Sequence, residues 1–477
     1  MSFAHLGHPE FSPGSSFRVK IVPDDNPESV AQAKESSPTH NERQLVRAIG
    51  PWGLGATAVN IAVGGGIFVV PAFVAAILGP AAILAYFICG LAVVLVQTCY
   101  IEIGSFVTRS GGGVAYVEEA FGPLMGFLAW VLYSVGYEVI ACAALGTILV
   151  GSISLWLPAL GHGAPRVFAM LLLFGGLAAV NIVGVRQGVQ VAIGTTVAKL
   201  IPLIFVIVAG SLFMHFREPR WTGWPSAPKL GEASLILFFA FQGLEEALAP
   251  SAEIRDPART VPRAMFGAMA TVIVLYLAVQ TVSQGVLGGE LARQTTAPLA
   301  AVAGKTVGVA GTTLVLIGVA ISVFGSIAGG MLSTPRAFFL AAEDGTLPAA
   351  LARVHPRFRT PHVAIATVAA LMFLLAVSGG FKRLAVLSSV SILCVYLAVC
   401  VGALKLRYTR QRQPGAFRAA GGPAVGILGS AAVIWLLAHS TKVEASALAG
   451  TLAVSIAYYF GRRKFLKSRE VGFKRNA

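Results

Sequence analysis

Asn60-Ile-Ala-Val-Gly-Gly-Gly-Ile-Phe-Val-Val-Pro71 begins as a membrane helix and cannot stay one throughout. A glycine inside a helix costs about 1 kcal/mol relative to alanine, and three adjoin here. In hydrocarbon, the amide and carbonyl groups released by a break find no water, so packed protein or a wet cavity must satisfy them. The arrangement recurs at Ile236-Leu-Phe-Phe-Ala-Phe-Gln-Gly-Leu-Glu-Glu-Ala-Leu-Ala-Pro250. Both stretches read apolar, then glycine, then proline a few residues on. Two interrupted segments at corresponding places in two halves of a chain point to a ligand site built from half-helix ends at the membrane midplane.

Composition supplies the setting. The 477 residues are 56% hydrophobic and 12% charged, about half the charged fraction of a soluble chain. Apolar runs of membrane length recur from Pro51 onward, which defines an all-α polytopic membrane protein embedded in a lipid bilayer. The net charge of +15 does not imply nucleic acid, because the bases sit in loops and tails. Cys89, Cys99, Cys142, Cys394 and Cys400 all fall inside apolar segments, with no Cys-x-x-Cys and no nearby histidine, so they read as buried thiols. Ala303-Gly-Lys-Thr306 ends like a nucleotide loop but has Leu299 where that loop needs glycine. No motif for a cofactor, a metal or hydrolysis stands out, so neither cofactor nor metal is expected, and transport would run on gradients or exchange.

Twelve spans are expected. Residues 1–42 read as a disordered cytoplasmic tail with no signal-peptide core. A core at 43–408 divides into repeats at 43–215 and 230–408. Helices 11 and 12 occupy 421–461, and a basic cytoplasmic tail covers 462–477. Segment 1 is placed at about 48–78, segment 3 at 124–157 and segment 5 at 189–213; segment 6 is the second break, and segment 8 lies at 311–332. The glycine-rich stretch at 109–116 reads as a linker or re-entrant loop. Placing both termini in the cytoplasm puts most of the 36 lysines and arginines on that side, which fixes the orientation in the cell (inner) membrane.

Four stretches then carry a resemblance: Val63-Gly-Gly-Gly-Ile-Phe68; Glu102-Ile-Gly-Ser with Ser110-Gly-Gly-Gly-Val-Ala-Tyr116 and Ala120-Phe-Gly-Pro123; Phe238-Phe-Ala-Phe-Gln-Gly-Leu-Glu245 with Asp256-Pro-Ala-Arg-Thr-Val-Pro-Arg263; and Glu343-Asp-Gly-Thr-Leu-Pro348 with Val354-His-Pro-Arg-Phe-Arg-Thr-Pro361. In this order and spacing they resemble the amino acid, polyamine and organocation permease superfamily. The resemblance implies a five-plus-five inverted repeat with helices 1 and 6 broken and two added C-terminal helices. It also implies a secondary transporter that moves an amino acid or related amine by alternating access. A membrane-embedded sensor or enzyme that retains a permease-like body is the alternative. The family usually has serine at the middle glycine of its first motif, where this chain has Gly65.

The candidate residues follow. Gly64, Gly65 and Gly66 offer N–H groups at a half-helix start to an α-carboxylate, and carbonyls freed around Phe241 and Gly243 face an α-ammonium. By similarity, Gly136 and Tyr137 of segment 3, Phe238 and Phe241 of segment 6 and Ser322 of segment 8 complete the substrate pocket, with Gly136 leaving room for the side chain. Glu138 is an acid deep in an apolar span and admits three roles: recognising a cationic substrate, relaying a proton, or pairing with a neighbour. Glu245 and Glu246 lie just past the second break, where a gate or coupling role fits, and Glu245 is taken as the candidate. Lys199, a basic residue within a span, must be paired, deprotonated or functional. In sodium-independent relatives a lysine of segment 5 occupies what would be a sodium site. That places Lys199 near Gly64 and the Ser322 hydroxyl and makes protons the coupling ion, or exchange the mode.

Overall fold

The computed structural model describes residues 48–107, 109–184, 189–214, 223–410 and 415–475. The expected tail at 1–42 lies outside them. The described residues are helical, apart from loops and one isolated pairing in which the backbone N–H of Ile49 donates to Glu253 and that of Arg255 donates to Ile49. Seven helices are long and apolar enough to cross a membrane, and three shorter apolar helices accompany them.

The first interruption falls where the glycines require it. Helix α1 (Pro51–Ala62) stops, a short 3-10 turn covers Gly66–Phe68, and α2 (Val70–Leu78) resumes with proline in its first turn. After Gly79-Pro80 come α3 (Ala82–Gly104) and α4 (Gly112–Phe121). The stretch read as a linker is therefore helical from Gly112: a Cβ at Gly113 would stand 2.5 Å from the Tyr100 hydroxyl, so glycine here lets α4 press onto α3. Segment 3 is one continuous helical rod in three parts: α5 (Pro123–Val131), a π-helical stretch at Leu132–Val139, and α6 (Ile140–Ile153).

Then follow α7 (Gly163–Val183), α8 (Val189–Phe213) and α9 (Ala227–Phe241). The second interruption follows α9. Gln242 is extended, Gly243 turns through φ +103°, a conformation that glycine adopts without a Cβ penalty, and Leu244–Leu248 winds as a 3-10 helix. The remaining helices are α10 (Pro257–Leu287), α11 (Pro298–Val307), α12 (Val309–Glu343), α13 (His362–Ser378), α14 (Phe381–Thr409), α15 (Pro423–Leu437) and α16 (Lys442–Arg475). The basic stretch from 462 continues the last helix as far as Arg475.

Helix α10 packs along α1 and α3, and α14 along the π-helical stretch, α3, α4 and α6, so the broken segments sit inside a ring of unbroken ones. Polar clamps hold one end of that ring. Arg407 pairs with the buried carboxylate of Glu102 at 3.2 Å, and the Ala419 N–H donates to the same carboxylate. Arg407 donates to the Ala419 carbonyl, and Ser105 accepts from the Phe417 N–H. A buried ion pair repays its desolvation only when further hydrogen bonds complete it, and here they do.

Candidate functional site

A cavity of about 300 Å³ lies between the two breaks. Its wall takes Asn60–Ala62 and Gly64–Gly66 from the first break, and Phe239, Ala240, Gln242 and Glu246 from the second. Tyr137, Glu138 and Leu145 come from segment 3, Lys199 from α8, and Gly325, Ser326, Gly329 and Ser333 from α12. Volume and lining fall in the range of small-molecule sites, which are concave and mostly apolar with a few convergent polar groups.

The backbone of the first break is poised as a donor. The Gly64 N–H is engaged with the Ala62 carbonyl at 2.8 Å, whereas the N–H groups of Gly65 and Gly66 meet no carbonyl among the described residues. They open the 3-10 turn that leads into α2, so helix polarity and orphan donors both favour an anion there. The glycines are also steric necessities. A Cβ at Gly66 would lie 2.8 Å from the Phe239 ring and 3.3 Å from Ala240 Cα, so the two breaks touch at this point. A Cβ at Gly65 would lie 2.6 Å from both Leu145 and Val323. That crowding gives the physical reason why serine, usual in the resembling family, does not fit here. Gly65→Ser is expected to weaken binding rather than add a useful hydroxyl, by about tenfold if one of the two neighbours must leave its rotamer. Equal or tighter binding in a titration of that variant would contradict the packing account.

The carbonyls released by the breaks are tied by a residue that sequence reasoning missed. The Tyr276 hydroxyl of α10 is 2.8 Å from the Ala62 carbonyl and 2.9 Å from the Ala240 carbonyl, the last turn of each half-helix. Its ring packs edge-on against Phe241 at 5.0 Å. A tyrosine in an apolar span gives no signal of its own, since aromatic residues fill such bundles. The Gly243 carbonyl accepts from the Glu246 N–H, so one of its two lone pairs is engaged within the turn.

Lys199 sits where the two breaks and α12 converge. Its ammonium donates to the Asn60 carbonyl at 3.3 Å and to the Ser326 hydroxyl at 3.2 Å, one helical turn from the expected Gly64 and Ser322. Ser322 is fully buried, its carbonyl accepts from Ser326, and it does not line the cavity. Four other expected positions also stand off the wall. A Cβ at Gly136 would be 2.7 Å from Ser391, so Gly136 is a close-packing contact with α14 rather than space for a side chain. Phe238 packs on Tyr396, Phe241 packs on Tyr86 and Tyr276, and Phe239 between them is the ring that faces the cavity. Gly243 lies just behind the wall, where a Cβ would meet the Tyr137 hydroxyl at 3.2 Å.

Local helix geometry explains how the acids fall. Through the π-helical stretch each residue advances by a smaller angle than in an α-helix, and Tyr137 and Glu138 both reach the cavity. Past the second break the tight 3-10 winding sends adjacent side chains to different sides. Glu246 lines the cavity and accepts from the Tyr137 hydroxyl at 2.6 Å, while Glu245 turns away and accepts from Gln97 at 3.1 Å. Glu138 and Glu246 both line the cavity.

A helical membrane bundle whose two broken segments enclose a mostly apolar cavity with a few convergent polar groups has the architecture of a carrier. Comparison with known proteins makes the family specific. Residues 49–460 match the family model described as amino acid permease, and the chain belongs to that family. It is 29% identical to the serine/threonine exchanger SteT of Bacillus subtilis over 431 residues, covering 85% of this chain and 94% of that protein. It is 24% identical to the branched-chain amino acid permease BcaP of the same organism, over 94% and 97% of the two chains. It is 30% identical to Asc-type amino acid transporter 1 of Mus musculus, over 73% and 68%. The protein is a multi-pass membrane transporter of the amino acid permease family, and not an enzyme.

Proposed function

We propose that this permease moves an amino acid or related amine across the cell membrane by alternating access, without sodium, either coupled to protons or by exchange. The observation that carries the reading is the cavity between the breaks, lined both by Gly65 and Gly66, whose N–H groups meet no carbonyl among the described residues, and by Lys199, which ties the first break to α12. The α-carboxylate binds at Gly65 and Gly66. Lys199 occupies the position where a sodium ion would otherwise bridge the first break to α12. In this reading the spans number twelve, in two inverted repeats at 43–215 and 230–408 followed by helices at 421–461, with both termini cytoplasmic.

That orientation assigns the state. The cavity extends along α12 from Gly325 to Ser333, toward the end that faces the cytoplasm. On the other side, the Phe381 ring packs tilted against Phe73 at 5.6 Å and edge-on against Phe239 at 5.4 Å, forming an aromatic plug over the site. The conformation is inward-facing. Phe381→Ala, which removes a ring from both contacts, is expected to raise labelling of a cysteine placed in the cavity by an external membrane-impermeant thiol reagent severalfold. Unchanged labelling would separate the plug from the gate.

The reading is tested by uptake of labelled amino acids into liposomes containing the purified protein, with sodium replaced by choline and with matched or stepped internal pH. Saturable uptake that ignores sodium supports it. A strict sodium requirement overturns the role given to Lys199, and no uptake of any amino acid or amine turns the reading toward a sensor with a permease body. Gly66→Val is expected to abolish uptake while the protein still inserts and purifies as a monodisperse species, because the added methyls occupy the contact with Phe239 and Ala240.

A further inference from the structure

The cavity wall has more acceptors than a simple zwitterion can use. Glu138 and Glu246 present two carboxyls. Gln242, 6% exposed, donates its amide N–H to Ser388 but leaves its carbonyl oxygen without a donor, and the side-chain carbonyl of Asn60 is also unpaired. Against two carboxyls stands one cation among the lining residues, Lys199, which gives two of its three N–H donors to Asn60 and Ser326 and leaves its charge to offset one of the acids. Tyr137 supplies a single proton donor, to Glu246. A neutral amino acid would place its carboxylate on the first break and its own ammonium nearby, adding no net charge. The Glu138–Glu246 side would keep its excess of acceptors.

Resting on the function proposed above, we propose that Glu138, Glu246 and Gln242 form a subsite for a second cationic group, so that the preferred substrate is an amino acid with a positively charged side chain or a diamine. A lone proton shared by the two carboxyls satisfies one oxygen pair and leaves Gln242 unserved. An ammonium brings three donors and a full charge to the same place, and a guanidinium brings five in a plane. The opposite wall has room for the chain that carries it. Gly329 on α12 faces open space, whereas Gly330 packs on Cys142, where a Cβ would stand 2.5 Å from Sγ and 3.7 Å from the Glu138 carboxylate. The stem would lie over Gly329 with its charged end on Glu138 and Glu246.

The test is competition for uptake into proteoliposomes of the full-length protein, with lysine, ornithine and arginine set against norleucine, serine and leucine. A second readout is the shift each causes in thermal stability of the purified protein. Lysine or ornithine is expected to bind at least about tenfold tighter than norleucine, which has the same length without the charge. The lysine-to-norleucine ratio should fall at least about fivefold in Glu138→Gln and in Glu246→Gln. Arginine above lysine would assign the subsite to guanidinium. Norleucine, serine or leucine equal to or better than lysine in the wild type overturns the subsite while leaving the permease reading standing, and then a proton held between the two carboxyls accounts for the pair. Failure of every amino acid to bind or move overturns the permease reading instead. The wild-type panel decides the matter even where a variant does not purify.

Discussion

Tyr276→Phe is expected to cut uptake about tenfold or more, although the residue lies outside the cavity lining. The single hydroxyl proton is shared between the Ala62 and Ala240 carbonyls, at 2.8 Å and 2.9 Å; without it Ala62 keeps the Gly64 N–H and the Ala240 carbonyl loses this donor. Removing one partner of a buried hydrogen bond leaves the other unsatisfied at a cost of about 1–3 kcal/mol, and about 1.4 kcal/mol is tenfold in an equilibrium. Phenylalanine keeps the ring and its packing on Phe241, so the bundle stays intact while the ends of α1 and α9 lose their common anchor. In a carrier those ends change relation during the cycle. The expected result is therefore a rise in KM with the protein still monodisperse and inserted, measured as initial uptake rates over a range of substrate concentrations. Wild-type kinetics in Tyr276→Phe would show that the tie is dispensable.

The second large effect is expected at Lys199. Its ammonium links the Asn60 carbonyl of the first break to Ser326 of α12, elements far apart in the sequence. It also lies within electrostatic reach of Glu246 across the cavity. Protonated, it holds this link; neutral, with a donor fewer and no charge, it loosens it, and in the proposed mechanism the conformations that keep or break the link differ in proton affinity. Only such a difference can couple a proton gradient to substrate movement. Lys199→Met keeps the length and removes both the charge and the donors. Uptake by the variant is expected to lose its response to an imposed pH gradient, and its rate at matched pH to fall by about tenfold or more because the Asn60 carbonyl loses its partner. Wild type and variant are compared in liposomes with internal pH matched or stepped. An undiminished pH response in the variant would make Lys199 a structural tie and move coupling to Glu138 and Glu246.

These residues also show what a linear reading reaches. Both breaks were legible because glycine inside a membrane span is costly enough to need a reason, and Lys199 because a lysine at that depth is. The facing of side chains was not legible. Segments 3, 6 and 8 are apolar nearly all round, so no periodicity tells cavity from packing, and Gly136, Phe238, Phe241 and Ser322 turned out to pack against neighbouring helices. Two departures from α-helical geometry moved the acids: the π-helical stretch lets Glu138 join Tyr137 on the wall, and the 3-10 winding exchanges Glu245 for Glu246. Both depend on hydrogen-bond register, which composition does not record. Tyr276 acts through tertiary contact with two distant carbonyls, separated from it by 214 and 36 residues, and no local pattern foretells that.

The central claim is that substrate sits between the breaks with its carboxylate on the first of them. An experimental structure of the protein bound to its transported amino acid tests this most directly. The predicted result is a carboxylate within about 3 Å of the Gly65 and Gly66 N–H groups, with the rest of the molecule reaching toward Glu138 and Glu246. A substrate lodged elsewhere, or one whose carboxylate is held by Lys199 instead of the backbone, would contradict it.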